Sequence, residues 1–224
     1  DKWIEKYGIK NIKTMKTYSD YRAAARESLS GNWKTSAIVM LLIFGITILL
    51  STVVGLLSLD SEWLGNSLNL VVSILLIAPL QWAFANALLQ LVRGDNNITD
   101  NTKQSFKTNY RTFVPTYLLM MIILVGIGIV TLLIGTFILA YAYRMVPYLI
   151  QDYPELSPRE ALKLSREMMR GHKWNLFVLD LTFTGWILLT ILTLGIGGLW
   201  VSPYMQTAAA HYYEDLKQAT IVEE

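Results

Sequence analysis

Asp180 and Arg144 are single charges inside otherwise uncharged apolar stretches of this sequence. A charge at such a position is costly, and it either serves proton, ion or substrate contact or locks helices through a partner. Thr184 follows Asp180 by one helical turn and shares its face, and Arg144 lies at a comparable depth from the same side, close enough in register to pair. For Asp180 the locking role outweighs the functional one, because a lone acid near a helix end can snorkel or pair. Asn86 and Gln90 are four residues apart, with Gln81 nearby. Amides in a lipid-facing helix usually cross-link helices, and they can also line a polar cavity.

A second group of residues could recognise anions. Arg159, Lys163, Arg166 and Arg170 fall on one face of a predicted helix that opens Ser157-Pro158-Arg159-Glu160, while Ala161, Leu164 and Met168 fall on another. Ser157 can cap, Pro158 suits the first turn, Glu160 completes a capping box and Gly171 is a stop. Lys103, Lys107 and Arg111 repeat every four residues, with Phe106 and Tyr110 on a different side. Arg22 and Arg26 repeat likewise after Ser19, a candidate cap, and before Gly31. Basic amphipathic helices of this kind can lie in the membrane interface, apolar side in lipid and basic side toward anionic headgroups, or act simply as positive-inside anchors.

Enzymatic chemistry finds little support. The sequence has no cysteine and two histidines, His172 and His211. His211 and Glu214 are two metal-ligand types three apart, short of the three protein ligands of a catalytic site. Gly126-Ile127-Gly128 lies within an apolar run, outside the strand–turn–helix context of a phosphate loop. No metal, cofactor or catalytic residue is expected, and a net charge of +2 gives no nucleic-acid footprint.

The elements that must position these groups are membrane helices. Apolar residues make up 53% of 224 and charged residues 16%, in long alternating blocks, and mean hydropathy is +0.39. A crossing takes about 20 mostly apolar residues. Spans are predicted at 36–57, 68–92, 114–134, 136–152, 175–194 and 199–213, with turns at Gly135-Thr136 and Gly195–Gly198. The fold class is therefore an all-α polytopic bundle of about six transmembrane helices in three hairpins, N-in and C-in. A cytoplasmic segment 1–18 precedes a single membrane domain 19–215, and 216–224 form a cytoplasmic tail. All nineteen Lys and Arg then lie on one side, as cytoplasmic loops require, provided Arg144 snorkels there. The hydrophilic, basic opening does not read as a secretory signal peptide. Arg26–Trp33 matches Arg166–Trp174 with one insertion, and each hairpin carries a proline: Pro79, Pro147 and Pro203. These suggest a threefold repeat of basic helix plus hairpin.

Ala161–Trp174, Leu179-Asp180-Leu181, Gly185–Leu189, Leu194–Gly197, Pro203-Tyr204 and Tyr213-Glu214 together resemble the bacterial membrane family called domain of unknown function 975. Ala25–Trp33 and Val92-Arg93-Gly94 fit as well. The resemblance covers most of the chain after residue 20 and implies a bacterial membrane location and a helical fold. It implies no activity. The leading expectation is a non-enzymatic protein of the bacterial cytoplasmic membrane that binds anionic lipid or another membrane protein. The alternative is a small-solute or ion transporter or channel using the polar groups around Arg144 and Asp180.

Overall fold

The computed structural model describes residues 16–58, 61–131 and 134–220; the basic residues expected at positions 2–13 lie outside these. All regular structure among the described residues is helical. Helix α1 is Tyr18–Leu29, α2 Trp33–Leu57, α3 Glu62–Val92, α4 Ile98–Thr131 and α5 Ile134–Ala142. There follow α6 Val146–Asp152, α7 Pro158–Met168, α8 Lys173–Leu181, α9 Thr184–Leu192 and α10 Gly198–Thr220.

Two short helices are set by capping boxes. Ser157 and Glu160 close the box at the start of α7 as the sequence requires. At α1 the cap is Thr17, with Asp20 as its reciprocal partner, and not Ser19. Thr-x-x-Asp satisfies two orphan backbone donors, whereas Ser19 already lies inside the helix. Both helices end at a glycine in the left-handed region, Gly31 (φ 79°) and Gly171 (φ 82°). Each turn repeats the same backbone bonds: Ser30 and Arg170 N–H donate to Glu27 and Glu167, and Asn32 and His172 N–H donate to Leu29 and Met169. The two segments therefore correspond residue for residue without an insertion, and Trp33 takes the place of Lys173 rather than of Trp174.

Three helices, α2, α3 and α4, are long and apolar enough to cross a membrane, and α8 with α9 makes a fourth if that pair, bent by 45°, counts as one span. Large apolar side chains face outward along them, among them Leu57, Ile129 and Leu192, each more than 70% exposed. Helix α4 has 34 residues, about 51 Å, against a hydrocarbon core of about 30 Å. Its first half is the segment of Lys103, Lys107 and Arg111, which runs straight through Pro115 into the apolar half. No glycine interrupts it before Gly126, so the break seen at Gly31 and Gly171 is absent here. The return to α5 is tight. Thr136 Oγ1 donates to the Leu124 carbonyl, and a Cβ on Gly135 would collide with Thr131 and Ile127.

Proline and polar side chains bend the other helices. Pro79 leaves the Leu75 carbonyl without its usual helical donor. A π-turn at Ser73–Ile77 accommodates this, and the Tyr110 hydroxyl donates to that carbonyl at 2.9 Å. The segment 136–152, expected as one span, is two helices broken at Tyr143-Arg144-Met145, and α6 is buried over most of its length. Helix α10 packs against α1, α2, α3, α8 and α9. Its stripe of Ala208, Ala209 and Ala210, almost fully buried, permits close approach.

Candidate functional site

The sequence-predicted polar residues fall into three separate places. Arg144 and Gln81 line a cavity of about 530 Å³ between α3, α4, α5, α6, α9 and α10. The break between α5 and α6 puts Arg144 there, and the guanidinium is exposed, without an ion pair among the described residues. In the lining Gln206 Nε2 donates to Ser202 Oγ at 3.1 Å, and the Tyr148 hydroxyl donates to the Gln206 carbonyl at 3.3 Å. Met120, Leu124, Ile187 and Val201 are among its apolar members.

Asn86 and Gln90 line a different cavity of about 350 Å³, together with Ser105, Asn109 and Gln151. Asn86 and Asn109 amides and the Ser105 hydroxyl all donate to Gln151 Oε1, at 3.2, 2.7 and 3.0 Å. Asn86 is fully buried, and its Oδ1 has no partner among the described residues. Asp95 is the one charged residue in this lining. The Asn97 backbone N–H beside it holds the Asp95 carboxyl below the usual carboxylate range. Ser105, Asn109 and Gln151 escaped the sequence reading. Their signal was present: Ser105 and Asn109 are four apart and lie two residues out of phase with Lys103, Lys107 and Arg111, on the opposite side of α4.

Asp180 is not joined to Arg144 by an ion pair; its carboxylate accepts from the Tyr141 hydroxyl at 3.0 Å, which ties α8 to α5. Thr184 lies beyond the 45° bend and returns its hydroxyl to the Leu181 carbonyl at 2.6 Å. Phe183, fully buried edge-on against Tyr204, pins the bend. The Thr182 carbonyl at the bend accepts from Arg22 at 3.1 Å, so Arg22 is engaged inside the bundle.

The largest ionic cluster was also missed. Asp152, whose side chain is 5% exposed, accepts both Arg93 terminal nitrogens at 2.7 Å, Lys217 at 2.6 Å and the Tyr213 hydroxyl at 2.8 Å. Arg93 Nε also donates to Glu214 at 2.7 Å. The cluster joins the ends of α3 and α6 to α10. His211 bonds Ser28 across to α1 at 2.9 Å.

The basic faces are laid open. Arg26, Lys103, Lys107, Arg111, Arg159, Lys163, Arg166 and Arg170 are all exposed. On α7 the sequence left open whether the apolar side lies in lipid. Ala161, Leu162, Leu164 and Met168 are buried in the protein core, and Ser165 Oγ donates to the Ala142 carbonyl at 2.8 Å. A Leu or Met side chain so buried contributes about 1.5–3 kcal/mol, so α7 is held to the bundle and not afloat in the interface.

Fold and surface together define a helical protein with three to four membrane-length apolar segments and a docked basic helix. Residues 114–220 match the model of the family described as Protein of unknown function (DUF975). The match takes in the carboxy-terminal motifs from Ala161 to Glu214 and leaves out Ala25–Trp33 and Val92–Gly94. No curated protein and no solved structure matches the chain.

Proposed function

We propose that this is a non-enzymatic, multi-pass protein of the bacterial cytoplasmic membrane that binds anionic lipid, with six crossings and both ends cytoplasmic. One observation carries the reading. Helix α7 buries its apolar face in the bundle and presents Arg159, Lys163, Arg166 and Arg170 together on the exposed face. Among the described residues Lys163 is paired with Glu167, at 4.0 Å. A fixed row of exposed cations near a bilayer attracts anionic headgroups at about 1 kcal/mol per charge, and the attraction falls off within a Debye length. The exposed Lys103, Lys107 and Arg111 on α4, which packs against α7, enlarge the same field.

Spin-labelled lipids in reconstituted bilayers test this reading. Phosphatidylglycerol should be enriched at the protein over phosphatidylcholine, less so at high salt. Changing Arg159, Lys163, Arg166 and Arg170 to Gln should abolish the enrichment. Equal enrichment in wild type and variant would count against lipid binding and direct attention to a membrane-protein partner.

A second reading, a small-solute or ion transporter, is favoured by the amide-lined cavity at Asn86, Ser105, Asn109 and Gln151 and by the helix breaks near Arg144 and Asp180. Solute flux in liposomes that disappears in Asp180→Asn, with the protein still folded, would support it over lipid binding.

A further inference from the structure

The lining of the cavity at Arg144 is of mixed chemistry: a guanidinium, two amides and hydroxyls together with hydrocarbon side chains. Arg144 is the one charged group in the lining, and no carboxylate faces it there. Asp180 is bonded to the Tyr141 hydroxyl and makes no ion pair with Arg144. An exposed guanidinium at the mouth of an apolar-lined cavity favours an occupant that supplies one negative charge. Free inorganic phosphate would satisfy Arg144 and leave the hydrocarbon side chains bare. A purely apolar molecule would do the reverse.

The dimensions agree with an amphiphile. From Gly198 to Gln206 the cavity follows eight residues of α10, about 12 Å of helix. Its volume of about 530 Å³ lies within the range of sites that enclose a ligand-sized molecule. Glycine at position 198 keeps the far end open: a Cβ there would sit 3.3 Å from Thr190, another lining residue.

We infer that this cavity is a binding site for one anionic amphiphile, a phospholipid whose phosphate lies on Arg144 and one of whose acyl chains lies against Met120, Leu124, Ile187 and Val201. The guanidinium donates to two phosphate oxygens in parallel, and the Gln81 or Gln206 amide supplies a further donor. The inference rests on the lipid-binding reading and deepens it, by adding a partly open seat for a single molecule to the basic face of α7. A fatty acid offers the same chemistry, one anionic head and one chain, through a carboxylate.

The test uses the full chain in mixed bilayers with three photoactivatable probes in turn, each with a diazirine in the chain: phosphatidylglycerol, phosphatidylcholine and oleate. Crosslinked peptides are mapped and retained lipid is counted by native mass spectrometry. The phosphatidylglycerol probe should label Met120, Leu124 and Val201 at one molecule per chain. Arg144→Gln should reduce that labelling about tenfold, as loss of a charge-assisted contact does, and Arg144→Lys should restore part of it. Leu124→Trp, which fills the cavity and leaves the charge intact, should also abolish it. Arg144 has no ion pair to lose among the described residues, so both of its variants should fold. Stronger labelling by oleate would keep the site and assign it to free fatty acid. Equal labelling by phosphatidylcholine, or labelling unchanged in Arg144→Gln, would overturn the inference. The α7 glutamine variant separates the two proposals: its loss of lipid enrichment with cavity labelling intact leaves both standing, and cavity labelling lost in Arg144→Gln alone isolates the cavity site.

Discussion

At the scale of single residues, the chain's ionisable groups divide into those that hold helices together and those left free. Asp152 belongs to the first kind, since Arg93, Lys217 and Tyr213 all converge on it. Asp152→Asn leaves Lys217 without its acid and Arg93 with Glu214 alone, and should cost about 3 kcal/mol, the low end for a broken buried pair because both cations are partly solvated. The midpoint of urea unfolding in mild detergent would read it. His172 gives a pH signature. Burial pushes its imidazole below the ordinary histidine range, and its Nδ1 is buried without a partner among the described residues. The unfolded chain then binds a proton that the folded chain resists. Stability should fall as the pH drops below about 6.5 and level off below the folded value. His172→Gln should flatten that part of the pH–stability curve. Sequence singled out Asp180 and Arg144 as charges within apolar stretches, but spacing alone could not reveal that Tyr141 bonds Asp180. Nor could it show Gln151 and Asp152, which meet their partners from 42 to 65 residues away in sequence.

At the scale of elements, α1 and α7 show how far local signals reach. Cap, amphipathic face and stop glycine were all legible in α7, and their counterparts recur in α1 in the same register. The two glycines are required by their backbone: a Cβ meets nothing within 4 Å at either, so any penalty comes from φ alone. Gly31→Ala and Gly171→Ala should each cost about 1–2 kcal/mol, and Asn in place of Ala should recover part of it. Differential scanning calorimetry of the four variants would check both. At α3, Tyr110→Phe should cost about 0.5–1.5 kcal/mol by removing the bond to the Leu75 carbonyl beside Pro79; Tyr117→Phe is the control, as no bond of the Tyr117 hydroxyl appears among the described residues. The break at Thr182-Phe183 was not legible, because it contains neither proline nor glycine. It is held by tertiary contacts, Phe183 on Tyr204 and Arg22 on the Thr182 carbonyl, whereas the break at Tyr143–Met145 precedes Pro147, which has no N–H to give the Tyr143 carbonyl. What covers the apolar face of α7 was left open for a related reason: an apolar stripe specifies burial, and whether lipid or protein does the burying depends on the neighbours.

At the scale of the whole molecule, hydropathy located α2, α3 and the apolar half of α4 because each is continuous and faces outward. It described the later elements less well, since α6 and α10 are enclosed by other helices and need not be apolar along their length. The absence of cysteine makes the proposed topology directly accessible to labelling. Single cysteines at Leu194 and Lys163, both exposed, should behave oppositely toward an impermeant maleimide added to intact cells, Leu194→Cys reacting and Lys163→Cys protected. Reaction at both positions would contradict six crossings with cytoplasmic ends. The proposal that ties topology, charge and cavity together is that the protein selects anionic lipid. Native mass spectrometry of the protein extracted gently from its own membrane tests it most directly. The account predicts anionic phospholipid retained on the wild type and depleted when Arg159, Lys163, Arg166 and Arg170 are changed to Gln. A chain that emerges without lipid, or that keeps the same lipid in both forms, would contradict it.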